Sequence, residues 1–160
     1  MEKHSFDEFS LRRFAPDKDE SELFHALQGP EVVRHMASPG ISKNDCEKII
    51  LESVEHWKKH GIGSWAVEKN GKIVGWAGFK FWEKDEFEIL IVLSPKHWGL
   101  GQLIYTELID LAKNKYGLTS ITAFLPNTRK SFGYIVKRAG FSHCGQVQFN
   151  GEDFQKFQLS

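Results

Sequence analysis

The chain has 160 residues, 41% hydrophobic and 13% aromatic, with equal numbers of acidic and basic side chains. That is the length of one domain with enough apolar matter for a packed core, which excludes a disordered chain; zero net charge gives no broad pull toward nucleic acid or an anionic membrane. No run approaches the ~20 apolar residues of a membrane span, and the start Met1-Glu2-Lys3-His4-Ser5 carries no apolar signal core. Cys46 and Cys144 form no Cys-x-x-Cys pair, so a reducing, cytoplasmic setting is expected.

Phe9 to Phe14 reads as a first strand, its alternation blurred by Arg12-Arg13. Asp17 to Leu27 reads as a helix stopped by Gly29-Pro30, and Glu31 to Met36 as a second helical piece ended by Ser38-Pro39-Gly40. Ser42 with Asp45 is a capping-box-like start for a third helix. Its buried stripe is Cys46, Ile49, Ile50, Ser53, Val54 and Trp57, and Gly61-Ile62-Gly63 ends it. His56 and His60 stand at helical i, i+4 spacing, but no HExxH pattern and no third ligand accompany them, so they read as last-turn histidines and no metal is expected.

Trp65–Glu68 and Lys72–Phe81 flank Asn70-Gly71, a strong type I′ hairpin signal, and Gly75 and Gly78 point to a bulge or a close backbone approach. Phe87 to Leu93 is an apolar strand ended by Ser94-Pro95. A glycine turn, Lys96 to Gln102, opens a helix whose buried face is Leu100, Leu103, Ile104, Leu108, Leu111 and Ala112. Ser120–Leu125 is a strand, Ser131–Ala139 a helix, and Phe141–Phe149 with Phe154–Leu159 a closing hairpin across Asn150-Gly151. The whole of residues 1–160 reads as a single domain: an α/β (α+β) fold with one mixed, mostly antiparallel sheet, a strand–helix–strand parallel junction and helices covering both faces.

A strand entering a glycine turn that opens a helix leaves backbone N–H groups unpaired, and the helix dipole favours an anion there. A phosphate site and a purely structural turn both fit the spacing. A dinucleotide fingerprint fails because its third glycine would fall at Ile104, and a nucleoside-triphosphate loop would need Gly-Lys-Ser/Thr. Residues 94 to 140 carry seven Lys/Arg against Glu107 and Asp110, so positive charge collects around this turn or on the solvated helix faces beside it.

Six stretches, taken in order, resemble one family. They are Leu11-Arg12-Arg13-Phe14-Ala15-Pro16-Asp17, Gly29-Pro30-Glu31-Val32-Val33-Arg34-His35-Met36, and His56 to Val67 with its Gly61-Ile62-Gly63-Ser64-Trp65 centre. Next come Ile73-Val74-Gly75-Trp76-Ala77-Gly78-Phe79, then Val92-Leu93-Ser94-Pro95-Lys96-His97-Trp98-Gly99-Leu100-Gly101, and last Val136-Lys137-Arg138-Ala139-Gly140-Phe141. Over roughly residues 9 to 145 the chain is similar to the GNAT superfamily of acetyl-coenzyme A-dependent N-acetyltransferases, most of all the branch related to ribosomal-protein N-terminal acetyltransferases, the RimJ/RimL type.

The resemblance implies acetyl-CoA as co-substrate, with its pyrophosphate on the N–H groups of Trp98, Gly99, Leu100, Gly101 and Gln102. It implies a strand that splays from its neighbour at a bulge, with Ile91, Val92 and Leu93 pairing with the pantetheine arm. The family loop often opens with Arg or Gln; here Lys96 stands in that place. Acetyl passes directly to a bound amine, so the protein must align the reactants, stabilise an oxyanion and move two protons. The oxyanion donor is expected near the Ile91 N–H and the base at Glu88, ahead of Glu86 and Asp85; the plain alternative for Glu88 is a solvated carboxylate at a strand end.

Relatives often use a last-helix tyrosine as the acid. Counting from Gly140-Phe141 that position holds Val136, and the family's asparagine aligns with Arg129. A local insertion would restore Asn127, Ser131 and Tyr134 to those roles, against Tyr134 as a plain packing residue. The expected acceptor is a primary amine, either a protein N-terminus or a small molecule, handled by a monomer or homodimer with no nucleic-acid or membrane partner. The competing reading is a non-catalytic acyl-CoA-binding regulatory or interaction module.

Overall fold

In the computed structural model, which describes residues 3–28, 41–84, 86–94, 96–97, 101–127, 130–149 and 151–159, a short strand opens the chain that hydropathy did not mark. This strand, β1 (Lys3–Phe6), returns through Asp7 into β2 (Phe9–Arg12). Four residues of mixed polarity carry too little periodicity to be read alone; pairing with β2 makes them a strand. β2 stops at Arg12, where the side chain leaves the sheet pattern to bind Asp19 through both terminal nitrogens (2.8 Å each) and Glu68 through Nε (3.0 Å). Burial works against the Asp19 carboxylate, but Arg12 and the Ala15 N–H outweigh it and hold it below its usual range. This clamp fixes α1 (Glu20–Ala26) beside the sheet.

The expected helix at Glu31–Met36 lies outside the described residues. α2 (Lys43–His60) starts on the expected capping box: the Ser42 hydroxyl accepts from the Asp45 N–H, and the Asp45 carboxylate accepts from the Ser42 N–H. It ends where Gly61 takes a left-handed φ of 73°. β3 (Ser64–Lys69) and β4 (Lys72–Glu83) meet at Asn70 and Gly71, whose φ values of 54° and 78° are those of a type I′ turn. β5 (Glu86–Leu93), α3 (Gly101–Asn114), β6 (Ser120–Pro126), α4 (Lys130–Arg138), β7 (Ser142–Phe149) and β8 (Glu152–Leu159) complete the order.

The eight strands form one sheet, β1-β2-β3-β4-β5-β6-β8-β7, antiparallel throughout except for the β5–β6 pair. Both glycine readings on β4 hold. The register jumps from Val67↔Gly75 to Glu68↔Ile73, leaving Val74 as the extra residue of a bulge. A side chain at Gly75 would run into the Val92 carbonyl, and one at Gly78 into the Gly63 carbonyl.

Helices cover both faces, each over its own core. α1 and α2 pack Leu23, Cys46 and Ile50 with Phe14, Ile73 and Trp76 on one face. On the other, α3 and α4 set Ile104, Leu108 and Val136 against Leu93, Ile121 and Phe157. Among the described residues no helix is long and apolar enough to cross a membrane.

Candidate active site

The parallel pair that a strand–helix–strand unit demands is short. β5 and β6 run together at Glu86↔Ser120, Phe87↔Ile121 and Glu88↔Thr122, and then part. β5 stays on β4 as far as Leu93, and β6 stays on β8 as far as Pro126, so the sheet forks between them. The Ser94 N–H donates to the Val74 carbonyl at 2.8 Å, which sets the parity of the strand. Main-chain groups of Glu88, Leu90 and Val92 therefore point to β4, and those of Ile89, Ile91 and Leu93 point into the fork. Ile91 thus turns its main chain into the fork, whereas the backbone of Val92, expected to pair with the pantetheine arm, is turned to β4.

The expected bulge on β5 is not what opens the fork. Phe87, Ile89 and Leu93 face one core and Val92 packs on the other, in unbroken alternation, and the register against β4 shifts only between Phe81 and Glu83. β6 swings away because it follows β8, whose ladder with it runs from Ile121↔Leu159 to Pro126↔Phe154.

Glu88 sits at the last rung before the fork, with Lys80 opposite on β4 and Thr122 on β6. Glu88 is half-buried, and among the described residues its carboxylate has no hydrogen bond and no ion pair within 4.0 Å. Burial raises its carboxyl to about 7, and the Lys80 charge only partly opposes this. A carboxyl poised near neutrality at a strand fork is suited to taking a proton from an amine. Its neighbour Glu86 is engaged, accepting from Gln158 Nε2 at 3.0 Å, and Asp85 lies outside the described residues.

Beside Glu88 lies a cavity of about 170 Å³ walled by Ser53 and His56 of α2, Trp76 and Lys80 of β4, and Leu90 of β5. His56 is no base for it, because both ring nitrogens are engaged. Nδ1–H donates to the Ile62 carbonyl at 2.5 Å, and Nε2 accepts from the Phe81 N–H at 2.9 Å. That pattern requires the neutral ring, and burial first, then the His60, Lys80 and Lys59 charges, lowers its proton affinity against the Ile62 bond. A lowered folded value means that the unfolded chain binds the proton first as pH falls. Wild-type protein should therefore lose stability below about pH 6.5, and His56→Gln should lose less over the same range. Urea titrations at successive pH values compare the two slopes.

Trp98, Gly99 and Leu100 lie outside the described residues. Gly101 is buried as the first residue of α3, and Gln102 beside it is exposed. No acidic side chain occupies the first turn of α3, which leaves its positive end unopposed. Near the loop, His25, Lys72, Lys96 and His97 line a cavity of about 410 Å³; of the seven Lys and Arg of residues 94–140 only Lys96 lines it, while Lys137 lines another cavity and Arg138 lies over the Tyr134 ring. His97 is held by Ser94, ring Nδ1 to hydroxyl at 2.7 Å.

Asn127 and Tyr134 come together, but away from Glu88. They line a cavity of about 510 Å³ with Pro126, Lys137, His143 and Gln155, and no β5 residue contributes to it. The Asn127 carbonyl already accepts from Gln155 Nε2 at 3.1 Å, and the Tyr134 ring is 65% exposed with Arg138 over it at 5.5 Å. Ser131 falls in the first turn of α4, its side chain outside the described part. Val136, at the usual tyrosine position, is wholly buried. Among the described residues no group of three or more His, Cys, Asp or Glu could hold a metal.

Residues 8–142 match the family described as the acetyltransferase (GNAT) domain. No curated protein matches the chain. Its fold is similar to a GNAT-family acetyltransferase from Bacillus anthracis (TM-score 0.81, 13% identity, 99% of this chain and 98% of that one). It is likewise similar to a ribosomal-protein-S5-alanine acetyltransferase from Vibrio fischeri (0.81, 14%, 99% and 96%). A third similar structure is RimL, a ribosomal L7/L12 α-N-protein acetyltransferase solved with coenzyme A (0.82, 12%, 99% and 97%).

Proposed function

The chain belongs to the GNAT acetyltransferase family, and from that premise we propose that it transfers an acetyl group from acetyl-CoA to a primary amine by direct attack. The fork carries this reading: Ile91 directs its main-chain N–H and C=O into an opening bounded by β6, past the last parallel rung at Glu88↔Thr122, with no described strand there to pair them. Buried backbone groups need partners, and an extended amide-bearing arm is the kind of ligand that supplies them.

In this reading bound acetyl-CoA supplies an activated acyl group as a thioester. The Ile89 carbonyl and the Ile91 main chain hold the arm in line with the strand, and Gly101 and Gln102 begin the helix end that takes the pyrophosphate. The Ile91 N–H stabilises the charge that develops on the carbonyl oxygen. Glu88 removes the proton from the attacking amine, which must be neutral to react, and Lys80 and Leu90 border the space the amine enters. Tyr134 is assigned no proton, because it lies with α4 and β8 on the face opposite Glu88. Within the family we place the chain in the RimJ/RimL-like branch, on the order of the motifs and the likeness to two ribosomal-protein acetyltransferases.

Calorimetry with acetyl-CoA, followed by turnover on a panel of free-N-terminal peptides and small primary amines, tests the proposal. Micromolar binding with thiol release on at least one amine is the expected result. Tight binding with no turnover would favour a non-catalytic acyl-CoA-binding module, the reading that the buried Val136 supports; no binding would overturn both.

A further inference from the structure

Two side-chain atoms on the described part of the chain are buried with no hydrogen-bond partner, Trp82 Nε1 and Thr122 Oγ1. The first is walled by rings, with Phe124 at 4.9 Å and Phe149 at 5.9 Å. The second stands at the fork. Thr122 is fully buried, and it is the residue paired with Glu88 at the last β5–β6 rung. Paired residues of adjacent strands put their side chains on the same face, about 4.8 Å apart. A hydroxyl without a partner and a carboxylate without a partner are therefore immediate neighbours. The hydroxyl is costly to bury alone, and the half-buried carboxylate is its complement.

We propose that Thr122 is a positioning residue for Glu88: when Glu88 ionises, the Thr122 hydroxyl, unbonded in the structure, turns to donate to the carboxylate and holds the charged form at the mouth of the fork. The role as a base rests on the reading above, but the hydrogen bond does not. On β6, Ile121 and Ala123 face the opposite core, Phe124 packs on Trp82, and Ser120, two residues from Thr122, pairs with Glu86 while its hydroxyl accepts from Gln158 Nε2 at 2.7 Å. The charged and titratable groups around Glu88 are Lys80 on β4, Glu52 and His56 on α2, Glu86 on its own strand and Lys156 on β8. Glu86 is held by Gln158, and Lys80 makes no ion pair within 4.0 Å among the described residues. Thr122 is thus the neutral donor among them, and its removal leaves the surrounding charges unchanged.

The test is a carbon-13 titration of glutamate-labelled protein without coenzyme, the Glu88 signal being identified by its loss in Glu88→Gln. Thr122→Val keeps the shape and removes the donor, whereas Thr122→Ser keeps the donor. The Glu88 midpoint should rise by about one pH unit in Thr122→Val and stay at the wild-type value in Thr122→Ser. Where the chain transfers acetyl groups, the acid limb of kcat/KM should move by the same amount. Equal midpoints in all three proteins, or a serine variant that behaves as the valine variant does, would overturn the proposal. A wild-type chain inactive on every amine would remove the catalytic reading, and the titration would still decide whether Thr122 holds Glu88.

Discussion

Glu88→Gln should lower kcat/KM by about 10²–10⁴-fold near pH 8 and, in the same sample, raise the melting temperature. The two effects have one origin. The folded chain holds the Glu88 carboxyl near 7 because burial penalises its charge, whereas the unfolded chain ionises it near 4.5. With the folded value raised, the stability linked to this group is fully present below pH 4.5 and is lost as pH rises through 7. Above that the buried charge disfavours the fold by roughly 1–3 kcal/mol, which glutamine does not incur. The wild type should also show an acid limb in kcat/KM with a midpoint near 7, and the glutamine variant should not. Calorimetric melting at pH 5 and pH 8 separates the readings: the variant should gain on the wild type between them. A variant that is less stable at pH 8, or that keeps full activity, would return Glu88 to the role of an ordinary surface carboxylate.

Local features of this fold were open to reading because local chemistry causes them. Ser42 and Asp45 cap α2 through bonds between neighbours, and Asn70-Gly71 turns the β3–β4 hairpin because both residues tolerate positive φ. The alternation of β5 likewise made Glu88 and Ile91 legible as residues of one strand. Arg12-Arg13 blurred β2 for a reason no window of sequence contains: Arg12 answers Asp19 and Glu68, and Arg13 lies over the Trp57 ring at 3.9 Å. β1 was missed for the same reason, since part of what fixes it is a contact between His4 and Glu107, 2.6 Å apart in space and 103 residues apart in the chain. The fork is harder still. It depends on where β6 leaves β5 for β8, a register set among three strands, and register also decides that Thr122 stands beside Glu88. Lys80 reaches the site by the same cross-strand pairing. Single-chain reading could nominate a strand for the proposed chemistry, but not its neighbours across the sheet.

That register makes an opposite forecast for two adjacent residues, which is the sharpest consequence of the fork. Ile91→Pro removes an N–H that faces the opening, and proline is tolerated in a strand where no ladder bond depends on the lost donor. The variant should stay folded with a moderate drop in melting temperature, because Ile91 is only partly buried against its core. Its kcat should fall by about 10²–10³-fold, the usual consequence of removing one oxyanion donor, and coenzyme affinity should weaken as well. Leu90→Pro, one residue earlier, removes a donor turned to β4 and should unfold the protein, since a central ladder does not accommodate the ring. If the Ile91 variant does not fold, replacing the amide at position 91 by an ester removes the same donor and keeps the side chain. Circular dichroism and turnover on the two variants decide the matter. Wild-type kcat in a folded Ile91→Pro protein would move the oxyanion donor elsewhere, and equal tolerance of proline at both positions would mean that β5 does not present its edge in the alternation described.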